Sequence, residues 1–271
     1  MSGNVTYFSY EDELNVMGPI SLLTKYDENY EPEFFSWLQS PSVCYKIVKK
    51  CPSYNKHPEL ASIFLKLLSD SGVLVGNFSC NTISMIGAIV VAGIDQKTVE
   101  RQLAKQCGGY LVLKNMWRLR QYLTIDPLEY FDDYKDRMLA ESKHNMPEIC
   151  MSFCRDYNIN FDDIFNRHEY LLFSPSELNH FDPRDFVRYV VDHGGTTGCL
   201  SRHFRFGNSR ISFLVLFEIA HQNKKNGHYV DYKKLISEYE KVANQLSWFE
   251  RTEFYFFTKK YKKIHSKSKR S

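Results

Sequence analysis

The sequence predicts an all-α protein, an irregular helical bundle with a long C-terminal helix and a basic tail. Three observations predict this class. Prolines stand before acidic residues at positions typical of helix starts, apolar residues recur at intervals of three and four, and the chain has few turn residues, with Gly 13 and Pro 9. Only residues 73–75 and 6–10 have the composition of strands, and we expect neither to form a sheet.

The 271 residues suit one large domain or two small ones. Hydrophobic residues make up 43% of the chain, which is enough for a packed core. We expect a single helical body over residues 1–258, with a sub-boundary near 124–147 that would make the body two-lobed. Residues 259–271 form the basic tail.

Six prolines predict helix starts, because a proline at the first helical position loses no hydrogen bond and a nearby acid suits the helix dipole. They are Pro32, Pro58, Pro127, Pro147, Pro175 and Pro183. Apolar periodicity and end signals predict helices over 58–71, 96–106, 110–123, 127–144, 147–157, 161–172, 183–192 and 209–222.

The C-terminal helix is predicted to begin after Asp231, whose side chain can cap it. Its apolar residues recur at alternating intervals of four and three, the pattern of a helix that packs lengthwise on a neighbour. Two heptads are too few to decide between ordinary core packing and oligomerisation through this helix. The seam consists of Leu235, Tyr239, Val242, Leu246 and Phe249, and resumes at Phe256.

The formal net charge of +3 is unevenly distributed, because no acidic residue follows Glu253. A cationic end favours an anionic partner, which can be a nucleic acid, an anionic membrane surface or an acidic protein. A solubilising tail is the alternative. The basic residues of the tail are Lys259, Lys260, Lys262, Lys263, Lys267, Lys269 and Arg270.

A second basic region lies at 97–122, where Glu100 is the single acidic residue. Just before and within it, Ile89, Gly93 and Val99 have roughly the spacing of a helix-turn-helix, in which a glycine allows the turn between two apolar contacts. Interleaved basic and aromatic residues suit phosphate neutralisation and base stacking. A DNA-reading helix, a nucleic-acid-facing surface and a solvated helical face all remain open. The candidate residues are Lys97, Arg101, Lys105, Lys114, Trp117, Arg118 and Arg120.

Cysteine and histidine residues suggest a zinc site as one alternative. Cys150 and Cys154 are four residues apart, as are Cys199 and His203, so each pair would share one side of a helix. Together they make a candidate Cys₃His site, with His144 and His193 as alternates in other combinations. Burial of the cysteines in an ordinary core is the competing interpretation, and we predict no cofactor.

Cys199 is also a candidate nucleophile, because it follows the glycine-rich stretch 194–198, whose N–H groups could hold an anion. His193 or His203 could serve as its base. Arg205 lies six residues later, as in a phosphate-binding loop, but the glycine and the hydroxyl residue of such a loop are missing. The alternative is a loop that connects two helices.

Membrane and secretory signals are weak. The apolar run 83–94 is shorter than the roughly 20 residues that a spanning helix needs. The N-terminal segment is acidic and has no apolar stretch typical of a signal peptide, and the cysteine count of 7 is odd. We therefore expect an intracellular protein, cytoplasmic or nuclear, with free thiols.

Three hypotheses for function follow. The favoured one is a non-enzymatic, nucleic-acid-associated helical protein, either a regulator or a nucleoprotein- or matrix-like assembly protein. The second is an interaction module or effector that binds a partner protein. The third is a cysteine-dependent enzyme centred on Cys199.

Overall fold

A computed structural model describes residues 9–56, 58–141 and 144–268, except for the side chains of Lys260 and of residues 262–268. This part of the chain is all-helical, with 16 α-helices and no strands, which confirms the predicted fold class. An isolated parallel bridge joins Phe173 and Phe204. Residues 73–75 form no strand, and residues 6–8 of the other candidate lie outside the described ranges.

The chain divides into two compact units, Met1–Arg137 and Met138–Ser271. From the N-terminus the helices are α1 (Tyr10–Met17), α2 (Pro19–Glu28), α3 (Pro32–Leu38), α4 (Pro41–Lys50), α5 (Pro58–Asp70), α6 (Cys80–Val91), α7 (Gln96–Cys107), α8 (Gly109–Leu119) and α9 (Phe131–Ala140). The second unit contains α10 (Met146–Tyr157), α11 (Phe161–Arg167), α12 (Pro183–Asp192), α13 (Thr197–His203), α14 (Arg210–Lys225), α15 (Tyr232–Val242) and α16 (Trp248–Ser268). Short 3₁₀ helices lie at Ser53–Asn55, Pro127–Tyr130, Pro175–Leu178 and Ala243–Gln245.

Four of the six predicted proline starts are α-helix starts: Pro32, Pro58 and Pro183 begin a helix, and Pro147 is the second residue of α10. The other two, Pro127 and Pro175, begin 3₁₀ helices instead. The predicted helix 127–144 is therefore a 3₁₀ turn followed by α9.

The predicted helix 161–172 ends early, at Arg167. Its C-terminal part is replaced by the backbone pairing of Phe173, whose N–H donates to the carbonyl of His203 at 2.7 Å. The Phe173 carbonyl accepts from the N–H of Arg205 at 2.8 Å. The apolar periodicity continues through this segment, but the backbone hydrogen bonds of Phe173 to a distant part of the chain determine its conformation.

In the first unit, α6 is the most apolar helix and packs against α4, α7 and α8. Ile83, Ile86 and Ile89 on this helix are buried. The apolar run 83–94 is thus accounted for by core burial, as expected for its length. Within the described ranges, no helix is both long enough and apolar enough to cross a membrane.

In the second unit, α14 lies against α12, α13 and α15. Its apolar side includes Phe213 and Phe217, which pack with Leu235 of α15 and Phe254 of α16. The buried acid Glu218 on α14 is neutralised by a bidentate ion pair. Arg188 donates to both of its carboxylate oxygens, at 3.0 and 3.2 Å.

The prediction of a single helix after Asp231 is wrong, because the α-helix is interrupted between α15 and α16. Ser247 and Glu250 form a reciprocal cap: the Ser247 N–H donates to the Glu250 carboxylate at 2.8 Å, and the Glu250 N–H donates to the Ser247 hydroxyl at 3.3 Å. Arg210 also binds Glu250, with an Nη2–Oε1 distance of 2.6 Å. A new helix therefore starts at Trp248.

This break changes which apolar residues face the core. Leu235, Val242 and Leu246 are buried as the predicted seam requires. Phe249 and Phe256, however, are 64% and 63% exposed, so these two residues of the seam do not pack in the core of the second unit. The predicted seam assumes that the α-helix continues through residues 243–247. The backbone instead forms a short 3₁₀ helix at Ala243–Gln245, and α16 begins at Trp248.

The Glu250 cap predicts acid-sensitive stability in the second unit. Burial favours the neutral carboxyl, but bonds from Arg210 and Ser247 outweigh it and lower the pKa of Glu250 below its ordinary 4.5. A lowered folded pKa stabilises the fold above the ordinary value, and this stabilisation is lost as the pH falls through the folded pKa. We expect Glu250→Gln to cost about 1–3 kcal/mol near neutral pH, and less in acid.

Urea denaturation of both proteins at about pH 7 and about pH 3 would measure this difference. Glu240→Gln, an exposed acid on α15, is the matched control. A Glu250→Gln cost that is as large in acid as at neutral pH would contradict the assigned role of the ionised carboxylate.

Candidate nucleic-acid interface and the cysteine sites

The helix-turn-helix residues lie at the junction of α6 and α7. Gly93 has a backbone φ of 120°, in a region that suits glycine, and Ile89 and Val99 are fully buried on either side. The Asp95 carboxylate caps α7 by accepting from the Thr98 N–H at 2.8 Å. The turn is therefore well defined, and it directs α7 across α5 and against α8.

The cations of α7 are divided between two environments. Lys97 binds Glu100 at 2.9 Å and Glu129 at 2.8 Å. Burial opposes its charged form, but these two carboxylates raise the pKa of Lys97 above its ordinary value. The charge of Lys97 is thus neutralised within the fold, whereas Arg101 and Lys105 are exposed.

On α8, Lys114, Trp117 and Arg118 lie on the exposed side, at intervals of three and four residues. The Trp117 ring is 55% exposed, and the Arg120 guanidinium lies 5.2 Å from its centroid. Among the described residues, Lys114, Arg118 and Arg120 form no ion pair. An exposed indole is therefore surrounded by cations that no carboxylate of this region neutralises.

Trp117 borders a surface depression of about 460 Å³. Its wall at Tyr122 is fixed by close packing, because a Cβ at Gly87 would lie 2.4 Å from the Tyr122 ring. Cys80 and Ser84, near the start of α6, could not be assigned to this depression from the sequence, since both stand more than 30 residues before Trp117. The lining residues are Cys80, Ile83, Ser84, Trp117, Arg118, Arg120, Gln121 and Tyr122.

A buried amide on the opposite side of α8 fixes the loop before α6. Asn115 accepts from the Phe78 N–H at 2.7 Å and donates to the Gly76 carbonyl at 3.0 Å. The Arg118 guanidinium donates to the Phe78 carbonyl from the neighbouring turn. These bonds hold the start of α6 beside Trp117 and determine the shape of the depression.

The predicted tail residues lie in the second unit. Helix α16 continues to Ser268, so most of 259–271 extends this helix. Lys259 is exposed, with its ammonium 5.9 Å from the centroid of the Phe256 ring. The side chains of Lys260, Lys262 and Lys263 lie outside the described part of the chain.

The candidate Cys₃His zinc site is not assembled among the described residues. Cys150 and Cys154 are buried on α10, and Cys199 and His203 are buried on α13. Among the described residues, which include His144 and His193, no three His, Cys, Asp or Glu side chains are close enough to hold a metal ion. A spacing of four residues on a helix places the two members of each pair on one side of that helix. It does not determine whether the two pairs come close to each other.

The environment of Cys199 disfavours a thiolate. Burial raises the pKa of this thiol, and the nearby carboxylate of Asp162 adds to the rise, although Arg202 donates to the sulfur at 3.4 Å and opposes it. His193 Nδ1 lies 2.9 Å from the Tyr189 carbonyl, and His203 Nδ1 lies 2.7 Å from the Leu171 carbonyl. Both histidines therefore bind backbone groups rather than the sulfur.

The glycine-rich stretch 194–198 is also occupied by internal bonds. The N–H groups of Gly195 and Thr196 donate at 2.8 Å to the Val190 carbonyl and the Asp162 carboxylate, respectively. The Cys199 N–H donates to the Thr196 hydroxyl at 3.1 Å and caps α13. These groups hold the loop between α12 and α13, and internal acceptors already occupy them, so they are not available to a bound anion.

Comparisons with known protein families, curated proteins and solved structures found no match to this chain.

The role of Asn115 predicts that Asn115→Leu will destabilise the first unit by about 1–3 kcal/mol, because buried backbone groups lose their partners. Urea denaturation measures the change. Asn77→Leu, at an exposed position of the same loop, is the control and should be within about 0.5 kcal/mol of wild type. Equal effects of both substitutions would show that the Asn115 bonds do not hold the loop.

Thiol exposure predicts an order of reaction with dithionitrobenzoate. None of the seven cysteines forms a disulfide, and Cys80 alone is exposed. Burial raises the pKa of Cys44, Cys107 and Cys154 to about 12. Since the thiolate is the reactive form, we expect Cys80 to react first and the buried thiols only after unfolding. A fast thiol that persists in Cys80→Ser and maps by mass spectrometry to Cys199 would revive the cysteine-enzyme hypothesis.

Proposed function

We propose that this protein associates with nucleic acid, as a regulator or as a nucleoprotein- or matrix-like assembly protein, and that the exposed side of α8 is its contact surface. The observation that supports this proposal is the exposed Trp117 ring among Lys114, Arg118 and Arg120. Within the described part of the chain, none of these three cations is paired with a carboxylate.

The chemistry of this surface favours a flexible single strand. Phosphates attract cations that have no internal counter-ion, and an exposed indole offers a face on which an unpaired base can stack. The depression beside Trp117 has polar groups from Ser84 and Gln121 and a ring from Tyr122. Stacked duplex bases would not present their faces to Trp117.

The α7 helix gives weaker support to duplex reading. Lys97, at its first turn, is bound by two carboxylates, although Arg101 and Lys105 remain exposed. The first turn of a recognition helix usually supplies base contacts. We therefore assign α7 a supporting electrostatic role and α8 the stacking role.

The test is the binding of a fluorescein-labelled single strand of about 20 nucleotides, measured by anisotropy over a range of salt concentrations. Lys114→Gln/Arg120→Gln should weaken binding and reduce the log–log salt slope by roughly 0.7 per lost phosphate contact. Trp117→Ala should weaken binding by about 5- to 100-fold with little change in slope, because stacking releases no counterions.

Lys225→Gln/Lys233→Gln is the charge-matched control, since both lysines are exposed in the second unit. Its binding should remain close to wild type. The proposal fails if the α8 variant and this control lose affinity equally, because a cationic protein then attracts the strand without a defined surface. Absence of binding at about 50 mM salt, where electrostatic affinity is strong, also excludes it.

A further inference from the structure

The outer side of α16 carries a stripe of large aromatic side chains. Trp248, Phe249, Tyr255 and Phe256 are 73%, 64%, 52% and 63% exposed. Trp248 and Phe249 are adjacent in the sequence, as are Tyr255 and Phe256. The second pair follows the first by seven residues, which places all four on one side of the helix. Together they expose on the order of 400 Å² of ring surface, at the size where apolar patches on proteins mark interaction sites.

This stripe is not required for packing within the second unit. The opposite side of α16 supplies the buried contacts, with Phe254 and Thr258 at 1% and 0% exposure and Phe257 packed against the same core. The helix thus has an inner apolar side that stabilises the fold and an outer aromatic side that does not.

Charge along α16 narrows the kind of partner. Both acids of this helix are neutralised within the second unit, Glu250 by Arg210 and Glu253 by Arg184 at 2.9 Å. No acid follows Glu253 in the sequence. The sequence then places Lys259, Lys263 and Lys267 at intervals of four, the interval that repeats along one side of a helix. A partner that matches this segment would therefore be apolar near Trp248 and anionic beyond Phe256.

We propose that α16 docks in the plane of a bilayer that contains anionic lipids, with its aromatic stripe in the headgroup and acyl boundary and its lysines on the headgroups. An interfacial helix combines one aromatic and apolar side with basic residues, and a charged segment supplies the second anchoring signal. The stripe from Trp248 to Lys259 spans about 16 Å at 1.5 Å per residue, along one side of a single helix.

A single nucleic-acid strand fits this side less well. The Tyr255 and Phe256 rings meet edge to face, at 71° and 5.5 Å, so they do not form parallel platforms for successive bases. A second copy of the chain would bring lysine-rich segments together unless the helices were antiparallel. The lipid surface accommodates both the rings and the uniform positive charge.

The experiment uses the full chain with vesicles of phosphatidylcholine alone, or with about 30% phosphatidylserine, and measures bound protein by sedimentation. Wild type should bind the anionic vesicles and lose binding as salt increases. Trp248→Ser/Phe256→Ser should reduce the partition coefficient at least about tenfold, because two rings no longer insert. The control Leu172→Ser/Tyr229→Ser removes two apolar side chains that are 42% and 83% exposed elsewhere in the second unit and should leave binding unchanged.

Insertion itself is measured with Trp248→Phe, which keeps an aromatic ring. Brominated lipid should quench part of the wild-type tryptophan emission, and Trp248→Phe should lose that part. Equal binding to neutral and anionic vesicles, equal loss in the test and control variants, or no lipid quenching would overturn the proposal. So would loss of dimer formation or of oligonucleotide binding in Trp248→Ser/Phe256→Ser without a change in vesicle binding. The α8 variants should bind vesicles normally, which separates this proposal from the nucleic-acid proposal.

Discussion

The carboxylate of Glu250 organises the C-terminal part of the second unit. One side chain caps the first turn of α16 through Ser247 and binds the Arg210 guanidinium at the start of α14. The pairing compensates the cost of burying this charge, because every bond to it comes from a donor that needs an acceptor. As a result the chain turns after Leu246, Phe254 enters the core and Trp248 remains outside.

A comparable polar constraint lies under α8 in the first unit. Asn115 binds two backbone groups of the loop that precedes α6, and Tyr122 packs on Gly87 of that helix. Neither contact adds charge or an exposed surface. Both determine where Trp117 and its cations lie relative to the first turn of α6, so a buried amide and a missing side chain shape the proposed binding surface.

Local signals in the sequence predicted much of the fold. The prolines at 58 and 183 identified helix starts because their effect depends only on the adjacent backbone. The prediction of 161–172 failed because Phe173 pairs with a segment 30 residues later in the chain. Likewise, the sequence placed Lys97 among the candidate nucleic-acid-binding residues, but Glu129, 32 residues away, binds it. Periodicity describes one helix at a time and carries no information about such partners.

The C-terminal helix shows why apolar periodicity alone cannot distinguish a core from an interface. Phe249 and Phe256 satisfy the same interval rule as Leu235, yet the break at Ser247 rotates them to solvent. The signal for the break was present, since Ser247 followed three residues later by Glu250 is a capping box. A helix that keeps large rings on its outer side as well as Phe254 on its inner side exposes more apolar surface than its own fold requires. Because exposed apolar surface promotes non-specific association, these outer rings are the part of α16 for which we propose a lipid partner.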